Sequence, residues 1–565
     1  HTPPRPAVDE STGLFVPDGG EGSTQEGALS YWYLDATNPD GDQTDDGGAA
    51  HRLYDWDSIN GHDADSRQYR VFTYLEEYAP DATAFDGSGI SLINLHEDNA
   101  DASIVGEDGV HITKAALGLP DTFDDDEFID RILWARGVDV LDDDVDGDTT
   151  EGRPVMGGVL HTEPILVNYA VDDNGTATDT DDTQTNVLFT TTNDGYLHIL
   201  QSDDSGLTGT PRLEHSAVLP KQVLDGIDEL YLDSGSDVAY RLDSNIDIWR
   251  YEDESDGDDD ITTGGNDHVY AYFGQRRGGN VIFAFDVTDP DYPELLWVID
   301  PETVATGSND ADVGPFQFMG QTWSKPKKHS ILVANSGGTD LEPREIVIFG
   351  GGYDNNSDDV PDLDRDQDTF GSAIYIVDAT TGELLWWAGH SSFAATVSPD
   401  LQDSDMQFGF ASDIRIADTN GDRFADMIFA SDAGGQVWRF DIANALNAGQ
   451  SLALSDRITG GVIADLQLEN ETDVETAANN RRLYYAPDVA IVQEDDTTAP
   501  ILTISIGSGY RAHPLNDTVN DKFFVLKYDD VISAPADELD NGGNVIADGY
   551  ERVKIHVGDL LDVTS

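Results

Sequence analysis

The length of the apolar runs constrains this chain more than anything else in it. From about residue 154 onward the runs are four to seven residues long, separated by loops rich in Gly and Asp. Those at 164–167, 187–190, 196–200, 281–285, 346–349, 374–377, 427–430, 437–440, 501–506 and 523–528 are too short for ordinary helices. Their β-branched and aromatic residues suit pleated strands. Many short strands joined by Gly and Asp turns imply an all-β fold, either a sandwich, a barrel or a propeller.

A weak internal repeat favours the propeller. Four segments place Gly before alternating apolar residues: Asp194-Gly195-Tyr196-Leu197-His198-Ile199-Leu200, Gly279-Asn280-Val281-Ile282-Phe283-Ala284-Phe285-Asp286, Gly371-Ser372-Ala373-Ile374-Tyr375-Ile376-Val377-Asp378 and Gly435-Gln436-Val437-Trp438-Arg439-Phe440-Asp441. Two continue alike, from Asp286 to Leu295-Leu296-Trp297 and from Asp378 to Leu384-Leu385-Trp386. Each unit fits a hairpin whose first strand ends in an Asp turn and whose second carries a Trp packed between neighbouring sheets. The units start roughly 60–90 residues apart, so their loops carry insertions. The propeller is expected over 151–565. Residues 1–150 read as an irregular, mixed segment with an apolar patch at 31–34 and a strand at 67–74. One short helix is predicted at about 124–136: Asp124 and Glu127 resemble a capping box, Phe128, Ile129, Ile132 and Leu133 share one face, and Gly137 is the stop.

Charge narrows the partners. Asp and Glu number 111 against 30 Lys and Arg, a formal net charge of -81. Such a surface repels phosphate backbones and anionic headgroups, which argues against nucleic acid as a partner. No apolar run approaches the roughly 18 residues of a membrane-spanning helix, so membrane insertion is not expected. At molar salt the screening length falls to about 3 Å, which suits so acidic a chain to saline surroundings. There is no Cys, hence no disulfide, thiolate metal site or cysteine nucleophile. The N-terminus has neither an initiator Met nor an apolar signal core, as expected of a mature piece of a longer exported precursor.

The sharpest chemical signal is the loop 418–426. Asp418, Asn420, Asp422 and Asp426 put oxygen donors at positions 1, 3, 5 and 9, Gly421 allows a sharp turn, and Phe424 offers a backbone carbonyl at position 7. Ca²⁺ is a hard cation that takes six to eight oxygens, and alternating donors on a tight loop converge on one point. The pattern is EF-hand-like but shortened, and its flanks alternate like strands rather than helices. These five residues are the expected Ca²⁺ ligands. The acidic clusters at 142–148 and 362–368 read as solvated loops, with metal binding as the alternative, and the stretch 253–260 reads as a solvated surface loop.

The order of several segments resembles the C-terminal part of the PilY family, calcium-binding adhesins associated with type IV pilus tips and pilus assembly. The segments are Ile132-Leu133-Trp134-Ala135-Arg136-Gly137-Val138-Asp139, then Met156-Gly157-Gly158-Val159-Leu160-His161-Thr162-Glu163-Pro164, Asn193-Asp194-Gly195-Tyr196-Leu197-His198, Gly278-Gly279-Asn280-Val281, Gly320-Gln321-Thr322-Trp323-Ser324-Lys325-Pro326 and Phe349-Gly350-Gly351-Gly352-Tyr353. The loop 418–426 and Gly435–Asp441 close the series. Gly158 and Glu163 depart from the family's usual residues. The resemblance covers about residues 125–530. It implies a modified seven-bladed β-propeller shaped like quinoprotein dehydrogenases, one structural and regulatory Ca²⁺ in the loop, and an extracellular place at a pilus tip. It further implies roles in pilus extension, retraction and surface attachment, with minor pilins and a host or abiotic surface as partners. The family's von Willebrand A-like domain is not seen in this sequence.

An enzyme is the weaker reading. A quinone-dependent dehydrogenase would share the propeller and Ca²⁺, but many of those enzymes carry adjacent cysteines. No Gly-x-Ser-x-Gly elbow or His-Glu-x-x-His helix is present. His161, His198 and His390 are scattered, and Trp297, Trp386, Trp387 and Trp438 read as packing. A structural subunit of an extracellular fibre or surface layer is the alternative to the adhesin.

Overall fold

The computed structural model describes residues 71–561 apart from 75–89, 101–111, 143–146, 148, 150–155, 173–182, 202–213, 233–239, 254–259, 302–313, 356–367, 445–450, 471–475, 477, 494–499, 512–513, 516 and 529–553. The apolar patch at 31–34 and most of the three acidic stretches lie outside the described residues.

Every one of the short apolar runs becomes a strand. Four sheets share one plan, four antiparallel strands paired in chain order. The first holds Ile165–Asp172, Thr183–Thr191, Leu197–Gln201 and Glu214–Val218. The second holds Asp247–Tyr251, His268–Gly274, Ile282–Asp286 and Glu294–Ile299. The third holds Lys327–Ala334, Leu341–Gly350, Ala373–Asp378 and Leu384–His390. The fourth holds Arg415–Ala417, Met427–Ser431, Gln436–Ile442 and Ile458–Asp465. A fifth sheet has three strands, Asp488–Val492, Ile501–Gly507 and Phe523–Tyr528. Five sheets thus stand among the described residues, against the seven blades that the family resemblance implies.

The four repeat segments are the third strands of the first four sheets, and the Trp-bearing continuations are fourth strands. A register shift recurs between third and fourth strands in all four sheets, at Ile199/Leu200, Ala284/Phe285, Ile376/Val377 and Val437/Trp438. Such bulges increase local twist. The expected Trp packing is present. Trp297 is fully buried and donates from Nε1 to the Ala379 carbonyl of the third sheet at 2.9 Å. It lies against Gly382, where a Cβ would come within 2.9 Å of the indole. Trp386 meets Phe440 of the fourth sheet edge-on at 6.0 Å.

Outside each fourth strand lies a short extra strand. Val71–Thr73, followed by Ile93–Asn94, extends the first sheet, and Ile90–Ser91 extends the second. Leu401–Asp403 extends the third sheet and Ile555–His556 the fourth. Two- and three-residue edge strands offer little template for pairing with other chains. The N-terminal strands join sheets whose main strands lie beyond residue 160. The helix forms at Asp125–Ala135; Asp124 caps it by accepting from the N–H groups of Asp126 and Glu127, and Gly137 ends it at φ 94. Arg131 of this helix, buried, pairs with Asp228.

Apolar cores join the first, second and third sheets, then the third and fourth, then the fourth and fifth. The stack also curls. Trp323, just before the third sheet, lies 6.0 Å from Tyr484, just before the fifth. Residues leading into first strands of non-neighbouring sheets therefore meet at a common axis, as in a propeller. No helix among the described residues is long and apolar enough to cross a membrane.

Candidate functional site

Because strands alternate in direction, each sheet has two ends. One end carries the connections from first to second and from third to fourth strands. The other carries the connections from second to third strands and those leading into the first strand.

The predicted calcium loop lies at the former end, joining Arg415–Ala417 to Met427–Ser431. Its polar side chains fold back on its own backbone. Asp418 Oδ1 accepts from the N–H groups of Gly421 at 2.7 Å and Asn420 at 3.2 Å, and Oδ2 accepts from Arg423 N–H at 2.8 Å. Asn420 Oδ1 accepts from Asp422 N–H at 2.8 Å, and Asp422 Oδ1 accepts from Phe424 N–H at 2.9 Å. Asp426 accepts from the N–H and hydroxyl of Thr419 and from Asn444 Nδ2. Gly421 and Arg423 take left-handed conformations, with φ of 79 and 76. Desolvation raises the Asp418 pKa, but the N–H donors from Arg423, Gly421, Asn420 and Asp422 outweigh it and hold the carboxyl below its ordinary value.

The structure thus brings all five expected residues into one compact turn. The donor chemistry, all oxygen, suits a hard cation. Among the described residues no three Asp, Glu or His side chains gather as a metal centre, because the carboxylates here engage loop N–H groups. The loop is anchored outside itself as well: Ala425 N–H donates to Ser330 of the third sheet, and Asn444 Nδ2 donates to the Ala425 carbonyl.

The opposite end holds a group that the sequence reading missed. Trp323 is ringed by guanidinium groups: Arg276, Arg511 and Arg277 lie 4.7, 5.5 and 5.6 Å from its ring centre. Tyr353 and Tyr484 pack on the same indole at 4.6 and 6.0 Å. Arg277 also lies over Tyr240, and Arg511 over Tyr485. The fully buried carboxylate of Asp243 accepts from Arg276 at 3.2 Å and bonds His161 Nδ1 at 2.7 Å. Burial lowers the pKa of His161, and Arg276 lowers it further, against the pull of Asp243. Glycines let this end close. A Cβ on Gly278 would sit 2.0 Å from the Arg241 carbonyl, and one on Gly320 would sit 2.4 Å from that of Tyr353. The doublet Arg276-Arg277 in so acidic a chain was the available signal, but no local pattern ties it to Trp323 or Arg511.

No family model matches the chain. Curated proteins do. The chain is 25% identical over 386 residues to the type IV pilus biogenesis factor PilY1 of Pseudomonas aeruginosa strain PAK, covering 66% of this chain and 27% of that protein. The corresponding factor of strain UCBPP-PA14 is 25% identical over 324 residues, 55% of this chain and 22% of the relative. The homolog from Xylella fastidiosa matches at 25% over 261 residues, 45% of this chain and 14% of the relative. The chain is a relative of the PilY family. It spans about a quarter or less of the length of these PilY proteins. They are described as pilus biogenesis factors, none as an enzyme. Among solved structures, the P. aeruginosa PilY1 C-terminal domain aligns with 65% of this chain and 70% of its own length, at 17% identity and a TM-score of 0.35. The Cps50 (Swd1) β-propeller domain of Myceliophteria thermophila aligns with 61% and 71%, at 10% identity and a TM-score of 0.22.

Proposed function

We propose that this chain is the propeller region of an extracellular, calcium-binding factor for type IV pilus biogenesis, placed at the pilus tip. There it works with minor pilins in extension and retraction and contacts a host or abiotic surface. The observation that carries this reading is the match to PilY1 proteins over up to 386 residues. The compact, oxygen-rich turn at 418–426 supports the calcium part. Without a cation, three carboxylates on so short a loop repel one another. Ca²⁺ held by Asp418, Asn420, Asp422, Phe424 and Asp426 would relieve that repulsion. It would also stiffen the seam where Ala425 meets Ser330, presenting a fixed rim to a pilin partner.

The test is genetic and structural together. Deletion of the gene in its native host should abolish or reduce surface pili and twitching, and the wild-type gene should restore both. The Asp426→Ala gene should restore pili without calcium-dependent control. Gold labelling should fall at pilus tips. Labelling along the shaft would instead make the protein a fibre subunit, and unchanged piliation after deletion would end the proposal.

A further inference from the structure

We propose that the arginine–aromatic cluster around Trp323 is a binding site for a single carboxylate carried on a flat apolar group. The acids and bases of the cluster do not balance. Asp243 is committed to Arg276 and His161. Lys325 pairs with Asp247, and Asp413, which accepts from the Lys325 N–H, also senses Arg276. Arg277 and Arg511 have no carboxylate partner among the described residues; their contacts are Tyr240, Trp323, Tyr485 and the neighbouring arginines. Yet the chain has 111 acidic residues against 30 basic ones, so carboxylates are in excess almost everywhere else. The like charges also act on one another. The Arg276 guanidinium is lowered from its ordinary value first by burial, then, against the pull of Asp243, by Arg511 and by Arg277. Two guanidiniums without a carboxylate among the described residues, held beside Arg276, make a local positive well, and an anion would complete it.

The rest of the molecule selects which anion. A net charge of -81 repels a ligand in proportion to its own charge, which disfavours phosphates and polyanions and tolerates a monoanion. Guanidinium forks donate two parallel hydrogen bonds to a carboxylate. In concentrated salt the charge contacts weaken, so affinity must also come from apolar contact. The site provides it: Tyr485 is 64% exposed beneath Arg511, and Trp323 is only partly covered. A carboxylate on an aromatic or similarly flat body satisfies both demands. Two sources carry that chemistry, a free aromatic acid and the C-terminus of a peptide ending in an aromatic residue.

The experiment titrates the whole chain with benzoate, with N-acetyl-Gly-Gly-Phe bearing a free C-terminal carboxylate, and with the C-terminal amide of that peptide, by calorimetry in the salt that keeps the protein folded. At least one acid should bind, and the amide should bind about tenfold or more weakly. Arg277→Gln and Arg511→Gln should each weaken the acid by about tenfold or more. Both should melt like wild type, since neither residue holds an ion pair among the described residues. Arg344→Gln, which removes a charge paired to Asp378 in the third sheet, should leave binding unchanged. A tighter fit for benzoate assigns a free acid, and a tighter fit for the peptide assigns a chain terminus. Three results would overturn the site: no binding of either acid at millimolar concentration, equal binding of the amide, or equal affinity in the two glutamine variants. The calcium loop is at the other end of the sheets, so failure here leaves the pilus reading intact.

Discussion

Two arginines sit in left-handed backbone, one at each end of the sheets, and they do opposite things. Arg276 has φ 56 and Arg423 has φ 76. At the axial end, the Arg276 side chain is buried, bonded to Asp243 and laid over Trp323. At the loop end, Arg423 is exposed, and what the turn uses is its backbone N–H, donated to Asp418. A left-handed non-glycine residue costs of order 1–3 kcal/mol, and it persists only where its surroundings hold it. At the axial end both the side chain and the N–H, which donates to Thr322 Oγ1, are anchored; at the loop end only the N–H is, through the Asp418 carboxylate. The axial end is thus a built polar core, whereas the loop end is a turn whose carboxylates cap its own N–H groups and keep further lone pairs facing solvent.

The difference should break most clearly at Arg276. Arg276→Gly keeps the backbone conformation and removes the guanidinium from a fully buried carboxylate, leaving it His161 alone. Leaving such a charge unpaired costs about 3–5 kcal/mol. Denaturant unfolding should show a loss of that size. A loss under about 1 kcal/mol would mean that His161 or solvent satisfies Asp243 unaided.

The axial end also holds a titrating group at its outer rim. Burial pushes Asp403 up to about 6, and Lys554, bonded to neighbouring Asp405, only partly offsets this. A carboxyl whose folded pKa exceeds its unfolded value binds its proton more readily when folded. Its contribution is full below about pH 4 and is lost as pH rises through about 6, a change on the order of 2–3 kcal/mol. Asp403→Asn should therefore be more stable than wild type at pH 8, and the gap should close towards pH 4. A gap that stayed constant across this range would show that Asp403 titrates normally.

How much of this contrast was legible in the sequence follows from how local each feature is. The third strands announce themselves because a Gly, an alternating apolar run and a closing Asp all lie within about eight residues, as at Gly371–Asp378. The loop 418–426 was legible for the same reason, since the bonds that Asp418, Asn420 and Asp422 accept all come from N–H groups within it. The axial cluster was not. Its members, Asp243, Arg276, Trp323, Tyr484 and Arg511, come from three sheets and are scattered over nearly half the chain. Only closure around an axis brings them together. Val71–Thr73 falls within the strand expected at 67–74, but the other extra edge strands were missed, because a two-residue strand such as Ile90–Ser91 is created by its neighbour, Glu294–Ile299, rather than by its own pattern.

At the loop end, calcium should stabilise by mass action. At free calcium about a hundredfold above the dissociation constant, the gain is about 2.7 kcal/mol. Chelation should lower the melting temperature of wild type and leave Asp426→Ala unmoved. Hydrogen exchange should rise across 414–442 on chelation and stay unchanged at 276–281. Equal rises in both regions would show that the two ends are mechanically coupled and would remove the contrast drawn above.

The smallest expected effect is the most discriminating. Arg423→Gly keeps the N–H that Asp418 accepts and removes the Cβ that makes φ 76 costly. Glycine gives back some of this through its freer unfolded chain, so the net gain should be about 0.5–1 kcal/mol. The side chain is exposed, so little packing is lost with it. The same substitution therefore carries opposite signs at the two ends, destabilising at Arg276 and stabilising at Arg423. If Arg423→Gly destabilised the chain instead, its guanidinium would be doing structural work against the surrounding carboxylates. The loop would then resemble the axial cluster, and its acids would be less free to accept a cation.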